Sequence, residues 1–123
     1  MTPTVHVQAF HNLDAWIFGY EPGHRIRPAF VAQMPAADPH EVCEAVFVLL
    51  NVGHCPPAGA PDPRAEQYRR QGRRSLSTGD VIAISQSERS HPTYYSVDSA
   101  GFTELAEEPR IITAATSPTG SPR

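Results

Sequence analysis

Val81, Ile82, Ala83 and Ile84 form an unbroken apolar row directly after a Gly79–Asp80 pair, and this row constrains the fold more than any other feature of the chain. Alternate side chains of an extended segment point to opposite faces. Val81 and Ala83 on one side, and Ile82 and Ile84 on the other, therefore all need cover. A segment of that kind belongs in the interior of a sheet rather than at its edge. The residues ahead of it, Arg73-Arg74-Ser75-Leu76-Ser77-Thr78, bring two cations and then hydroxyls up to the turn. Gly79 can take the positive φ of a tight turn, and Asp80 can accept a backbone N–H where the strand begins.

The neighbours of that strand are legible in turn. Thr4 to Phe10 alternates, with Val5, Val7 and Ala9 on one face and His6, Gln8 and Phe10 on the other, which predicts a strand. Asn12 is placed to cap a short helical turn over residues 14–17, although Trp16 to Tyr20 reads equally well as extended chain. The aromatic residues there, Phe10, Trp16, Phe18 and Tyr20, are read as packing rather than as a ligand cage. Glu21-Pro22-Gly23-His24 has the central residues of a type II turn. Pro28 and Pro35 bracket a second strand whose buried face would be Phe30, Ala32 and Met34. The prolines place it near an edge, since proline cannot donate to a ladder.

Residues 38–53 carry the strongest helix signal. Asp38 suits the N-cap, Pro39 the first helical position, Glu41 the third position of a capping box, and Gly53 the C-terminal stop. Val42, Ala45, Val46, Leu49 and Leu50 recur at helical spacing between them, and Phe47 and Val48 widen the apolar face. The Pro-rich run 56–63 predicts a surface loop, and Arg64 to Gly72 has the makings of two further helical turns. After the central strand come a polar turn, a strand at Thr93–Val97, a compact turn at Asp98–Gly101 and a returning strand at Phe102–Leu105. These connections predict an α+β domain over residues 1–105. Its sheet is small and mostly antiparallel, in the order β-β-α-β-β-β, with one main helix on one face. Residues 106–123 are expected to form a loose tail rich in Pro, Ser and Thr.

A net charge of −3 and a pI near 6.0 imply no general attraction to nucleic acid or anionic membrane. All ten basic residues are arginine, which together with 13 prolines points to a high-G+C genome and to arginine partly as a codon effect. The N-terminus lacks the pattern of a signal peptide, no run is long enough to span a membrane, and a cytoplasmic location is expected. Cys43 and Cys55 are then expected to be free thiols.

The helix ending in Leu49-Leu50-Asn51, the Pro-rich loop, the string Arg74-Ser75-Leu76-Ser77-Thr78-Gly79-Asp80-Val81-Ile82, and Tyr94-Tyr95-Ser96-Val97-Asp98-Ser99-Ala100-Gly101-Phe102 together resemble the YodL-like domain. The resemblance is strongest over residues 74–102. It marks Arg74, Ser75, Leu76, Ser77, Gly79, Asp80, Gly101 and Phe102 as signature positions, with Asp98 beside them. It implies a small accessory protein of plasmids, conjugative elements or phages, with no catalytic chemistry attached.

Four constellations deserve chemical scrutiny. Ser75, Ser77 and Asp80 beside Arg74 could hold a phosphate. The preferred reading makes them turn-formers, with Arg74 held in a bidentate pair by Asp80 or Asp98. Arg64, Arg69, Arg70, Arg73 and Arg74, with Tyr68 among them, place half the basic residues within eleven positions and form the candidate partner-binding patch. His40, Cys43, His54 and Cys55 are metal-ligand types at poor spacing, so no metal and no cofactor is expected. His6, His11, His24 and His91 adjoin no nucleophile or paired carboxylate, so no catalytic residue is assigned. The function expected is a non-catalytic interaction protein of mobile-element origin that binds a host or element-encoded protein. The alternative is a nucleic-acid module of the PUA or ASCH type using the Arg64–Arg74 patch, which a closed barrel would favour.

Overall fold

The computed structural model describes residues 3–15, 19–52, 63–72, 74–87 and 89–112. In chain order the elements are β1 (Thr4–Asn12), β2 (Arg25–Pro35), α1 (Pro39–Val52), α2 (Pro63–Arg70), β3 (Val81–Ser85), β4 (Thr93–Asp98), β5 (Gly101–Glu104) and β6 (Arg110–Ile111). The strands form one sheet in the order β5-β4-β3-β1-β2-β6. Every pairing is antiparallel except the short one between β2 and β6. The apolar row after Gly79 is thus β3, flanked by β1 and β4, with Val81, Ile82 and Ala83 all buried.

Both faces of β3 are covered, as its composition requires. On one side Ile82 joins Val7, Ala9, Tyr95 and Val97 beneath Val42, Val46, Leu49 and Leu50 of α1. On the other, Val81 and Ala83 join Phe10, Ile26 and Tyr94 in a second cluster, sealed by Tyr20, Leu105 and Ile111. Asp38 begins α1 as expected: its carbonyl accepts the Val42 N–H at 3.0 Å and its carboxylate accepts the His40 N–H at 3.1 Å. Gly53, the expected stop, lies outside the described residues, as do Trp16 to Phe18.

β2 carries its prolines in tolerant places. Phe10 faces Pro28 while Ala9 faces Phe30, so the ladder is bulged at Pro28–Ala29, where a missing donor costs least. The bulge lets both Ala29 and Phe30 reach the α1 side of the sheet. The Glu21–His24 turn closes through a 3.1 Å bond from His24 N–H to the Glu21 carbonyl, with Gly23 at φ +95°.

The observed order, β-β-α-α-β-β-β-β, differs from the expected one in two elements. The Arg-rich stretch is a true second helix that contributes Ala65 and Tyr68 to the core, so α1 is not the sole packing helix. An eight-residue helix of this composition is too short to persist alone, and the burial of those two side chains on one face holds it. Residues 106–112, read from sequence as the start of a tail, carry β6. Pro109 is buried, and Arg110 and Ile111 lie alongside Arg25 and Ile26.

That last strand shapes the whole sheet. A flat sheet would set β5 and β6, its two margins, about 24 Å apart. The chain from Glu104 to Arg110 reaches at most about 22 Å even when fully extended. The sheet is therefore curled, and residues 105–109 run across the second cluster as a strap. The two margins do not pair with each other among the described residues, so the barrel is not closed.

Candidate functional site

The candidate site is built where the turn before β3 meets α2 and the end of β1. Gly79 sits at φ +100°, and a Cβ there would fall 2.6 Å from the Ala15 Cβ. Both facts demand glycine. Its N–H donates to the Val97 carbonyl at 2.8 Å, and the Asp80 carbonyl accepts the Val97 N–H at 2.8 Å, which locks the turn to β4.

Asp80 is 1% exposed and accepts four hydrogen bonds. Two come from the Arg74 guanidinium, each at 2.7 Å, in a fork across both carboxylate oxygens. The others come from the backbone N–H groups of Asn12 and Ser77, each at 2.8 Å. Asp80, rather than Asp98, is thus the partner of Arg74. The hydrogen bonds to Asp80 push the Arg74 guanidinium above its usual range, against the opposing effect of burial. The same guanidinium reaches the Ser75 carbonyl at 2.9 Å and the Ser77 hydroxyl at 3.3 Å. A phosphate arriving here would meet a cation whose charge is already matched.

Two asparagines complete the framework, and neither was singled out as a site residue by sequence reasoning. Asn51, near the end of α1, accepts the Leu76 N–H at 2.7 Å and donates to the Leu76 carbonyl at 2.9 Å, copying the bonds of a neighbouring strand. Asn12 accepts the N–H groups of Asp14 and Ala15, each at 2.7 Å, and donates to the Gly79 carbonyl at 2.8 Å. Asn12 thus holds the two N–H groups that follow it and the turn as well, while the helical turn it is expected to cap runs onto residues 16–17, outside the described residues.

α2 is tied to the same turn. Tyr68 donates its hydroxyl proton to the Arg74 carbonyl at 2.5 Å, while His11 Nε2 lies 2.7 Å from the Tyr68 oxygen and 3.0 Å from the Arg74 carbonyl. The Tyr68 ring meets Phe30 edge-on, with centroids 6.0 Å apart. Gly72, at φ +76°, ends the helix by donating to the Arg69 carbonyl at 2.9 Å. Arg64, Arg69 and Arg70 are exposed along α2, and the last two sit in the final turn, where the helix dipole favours cations. Arg73 lies outside the described residues.

Two hollows border this framework. One, of about 250 Å³, separates Ala29, Phe30 and Val31 from Arg64 and Gln67 of α2 and from Gln71 just after it. The other, of about 370 Å³, lies between His11, Leu13 and Arg27 on one side and Gln71, Gly72 and Arg74 on the other. They meet at Gln71.

Asp98, Gly101 and Phe102, also expected from sequence to matter, form a separate unit in the β4–β5 hairpin. Asp98 accepts the Ser96 hydroxyl at 3.2 Å and also the Thr103 hydroxyl, and Gly101 turns the chain opposite it. The Phe102 ring meets Phe47 of α1 edge-on at 6.3 Å. Ser75 is exposed and Leu76 is buried in the α1 core.

Of the candidate metal ligands, Cys43 is fully buried and burial pushes its thiol up to about 12, while His40 is exposed beside Tyr95. His54 and Cys55 lie outside the described residues. The histidines scatter: His11 is in the framework above, His24 stands in the Glu21–His24 turn, His6 lies on β1 and His91 is exposed ahead of β4. Among the described residues no helix is long and apolar enough to cross a membrane. No family model, curated protein or solved structure matches the chain.

Proposed function

We propose that this chain is a non-catalytic interaction protein, a YodL-like accessory module of a mobile genetic element from a high-G+C bacterium, which binds a host or element-encoded protein. The observation that carries the reading is the division of labour within residues 63–80. The main polar groups of this segment are consumed inward: Asp80 takes four hydrogen bonds, Arg74 and Tyr68 hold carbonyls of the loop, and Asn12 and Asn51 hold the loop from β1 and α1. Arg69 and Arg70 lie exposed in the last turn of α2 on that fixed base. A charged helix anchored on a rigid turn suits recognition of a partner better than bond-making, which needs polar groups aimed at a substrate.

The test is affinity purification from the host with the wild-type chain and with Arg69→Glu/Arg70→Glu. The variant is expected to retain its fold and to lose a specific partner that the wild type recovers. Equal recovery removes α2 as the contact surface. The nucleic-acid alternative takes second place because the closed barrel that would favour it is not formed among the described residues. A gel shift at low salt discriminates: binding to DNA or RNA that fades steeply as salt rises would put that alternative first.

A further inference from the structure

We propose that the outer edge of β2 is a peptide-docking edge, on which an extended, acidic segment of a partner protein adds as a further strand in the groove beside α2. The proposal rests on the interaction reading above and gives it a partner class and a mode of binding.

β2 is eleven residues long and pairs with β1 along most of that length. On its outer side only Arg25 and Ile26 are paired, with β6. From residue 27 to residue 35 that side carries no strand among the described residues. The Gln33 carbonyl points outward, where Arg64 Nη1 donates to it at 3.2 Å. The two-residue repeat of a strand then aims the N–H and carbonyl of Val31 the same way. Val31 is 55% exposed, and a long edge bearing a bare valine is an arrangement that natural proteins normally blunt or use. The groove lies directly alongside: Phe30 and Val31 form one wall, Gln67 and Tyr68 the other, and it continues past Gln71 toward Arg27. An edge strand facing a helix across a groove is the geometry in which main-chain bonds give affinity and side pockets give selectivity.

Charge selects the occupant. β2 contains Arg25 and Arg27 and no acidic residue, and α2 contains Arg64, Arg69 and Arg70 against Glu66 alone. Arg25 is paired with Asp14 and Arg64 holds the Gln33 carbonyl, and together with Arg27, Arg69 and Arg70 they give this face a positive sign on a chain whose net charge is −3. An acidic segment is drawn here and a basic one is repelled. The edge also has a precedent for accepting a strand, since the Ile112 N–H already donates to the Ile26 carbonyl at 2.7 Å.

Calorimetric titration of the full chain with a short peptide alternating glutamate and valine tests the proposal. The controls are the same peptide N-methylated at alternate amides, a lysine–valine counterpart, and the Val31→Pro chain with its fold checked by circular dichroism. The acidic peptide is expected to bind saturably and more weakly as salt rises. N-methylation or Val31→Pro should weaken it at least ~10-fold, and the lysine peptide should not bind. If Val31→Pro fails to fold, amide shifts in the wild-type chain decide. Changes centred on Val31, Gln33 and α2 support the proposal, and changes elsewhere, or none, overturn it. Failure of the acidic peptide to bind, or equal binding of the N-methylated or lysine peptide, also overturns it. So does a concentration-dependent dimer in the absence of peptide binding, which would name a second copy as the occupant. Loss of partner recovery by Arg69→Glu/Arg70→Glu alongside a failed titration removes strand addition and leaves the interaction reading standing.

Discussion

Asp80 illustrates how one side chain can organise several segments at once. Its carboxylate touches the end of β1 through Asn12, the loop through Ser77, and the guanidinium of Arg74. Asp80→Asn removes the charge and turns an amide NH2 toward donors that need an acceptor, so it is expected to cost about 3 kcal/mol. Arg74→Met should cost less, about 1–2 kcal/mol, because that side chain is half exposed and partly screened. The double variant measured by urea denaturation should show a coupling of about 1–2 kcal/mol. Purely additive costs would show that Asp80 acts through the backbone N–H groups alone. Residue spacing placed Arg74 opposite a carboxylate and named two candidates, Asp80 and Asp98. It gave no hint of the bond from Asn12 to Gly79, which spans 67 positions, or of those from Asn51 to Leu76, which span 25. Bonds of that range arise from the folded arrangement of elements, and no local pattern encodes them.

At the scale of elements, α1 and β3 are legible because each repeats its signal over several residues, the first at helical spacing and the second on both strand faces. β6 is two residues long and has no period to detect; it forms because Ile111 finds the second cluster and Ile26 offers a free edge. α2 lies between these cases. Its stop at Gly72 is visible in the sequence, while its packing depends on Tyr68, whose ring is buried among Phe30 and α1 residues and whose hydroxyl holds the loop. These two contributions separate experimentally. Tyr68→Phe keeps the ring and should cost about 1 kcal/mol, while Tyr68→Ala should cost about 3–4 kcal/mol and loosen α2. Chemical denaturation measures the costs. Hydrogen exchange at Gln71 and Gly72 reports the helix end, and unchanged protection in the alanine variant would mean that α2 is held elsewhere.

For the whole molecule, the titrating groups define where stability is greatest. Burial raises the Cys43 thiol from 9.0 to about 12 and also raises the phenols of Tyr20, Tyr94 and Tyr95. Between the unfolded and folded values the folded chain holds protons that the unfolded chain has released. The Cys43 contribution is therefore complete below pH 9 and is lost as pH climbs toward 12, at up to about 1.4 kcal/mol per pH unit, and the phenols lose theirs as pH rises past 10.0. On the acid side Asp14, held well below the ordinary carboxylate range by its bonds to Arg25, contributes above that range and loses its contribution as pH falls through it. Urea midpoints should fall on both flanks, and Cys43→Ala should flatten the alkaline one. An unchanged alkaline slope in that variant would assign the loss to the phenols.

The strap over residues 105–109 has a mechanical consequence. A tether too short to span the flattened sheet behaves like a hoop around it and limits its girth. A visitor settling on β2 would meet a rim that cannot splay to receive it, and any push on that rim would be passed to β5 at the far side. Recognition by such a surface favours partners already shaped to its curvature.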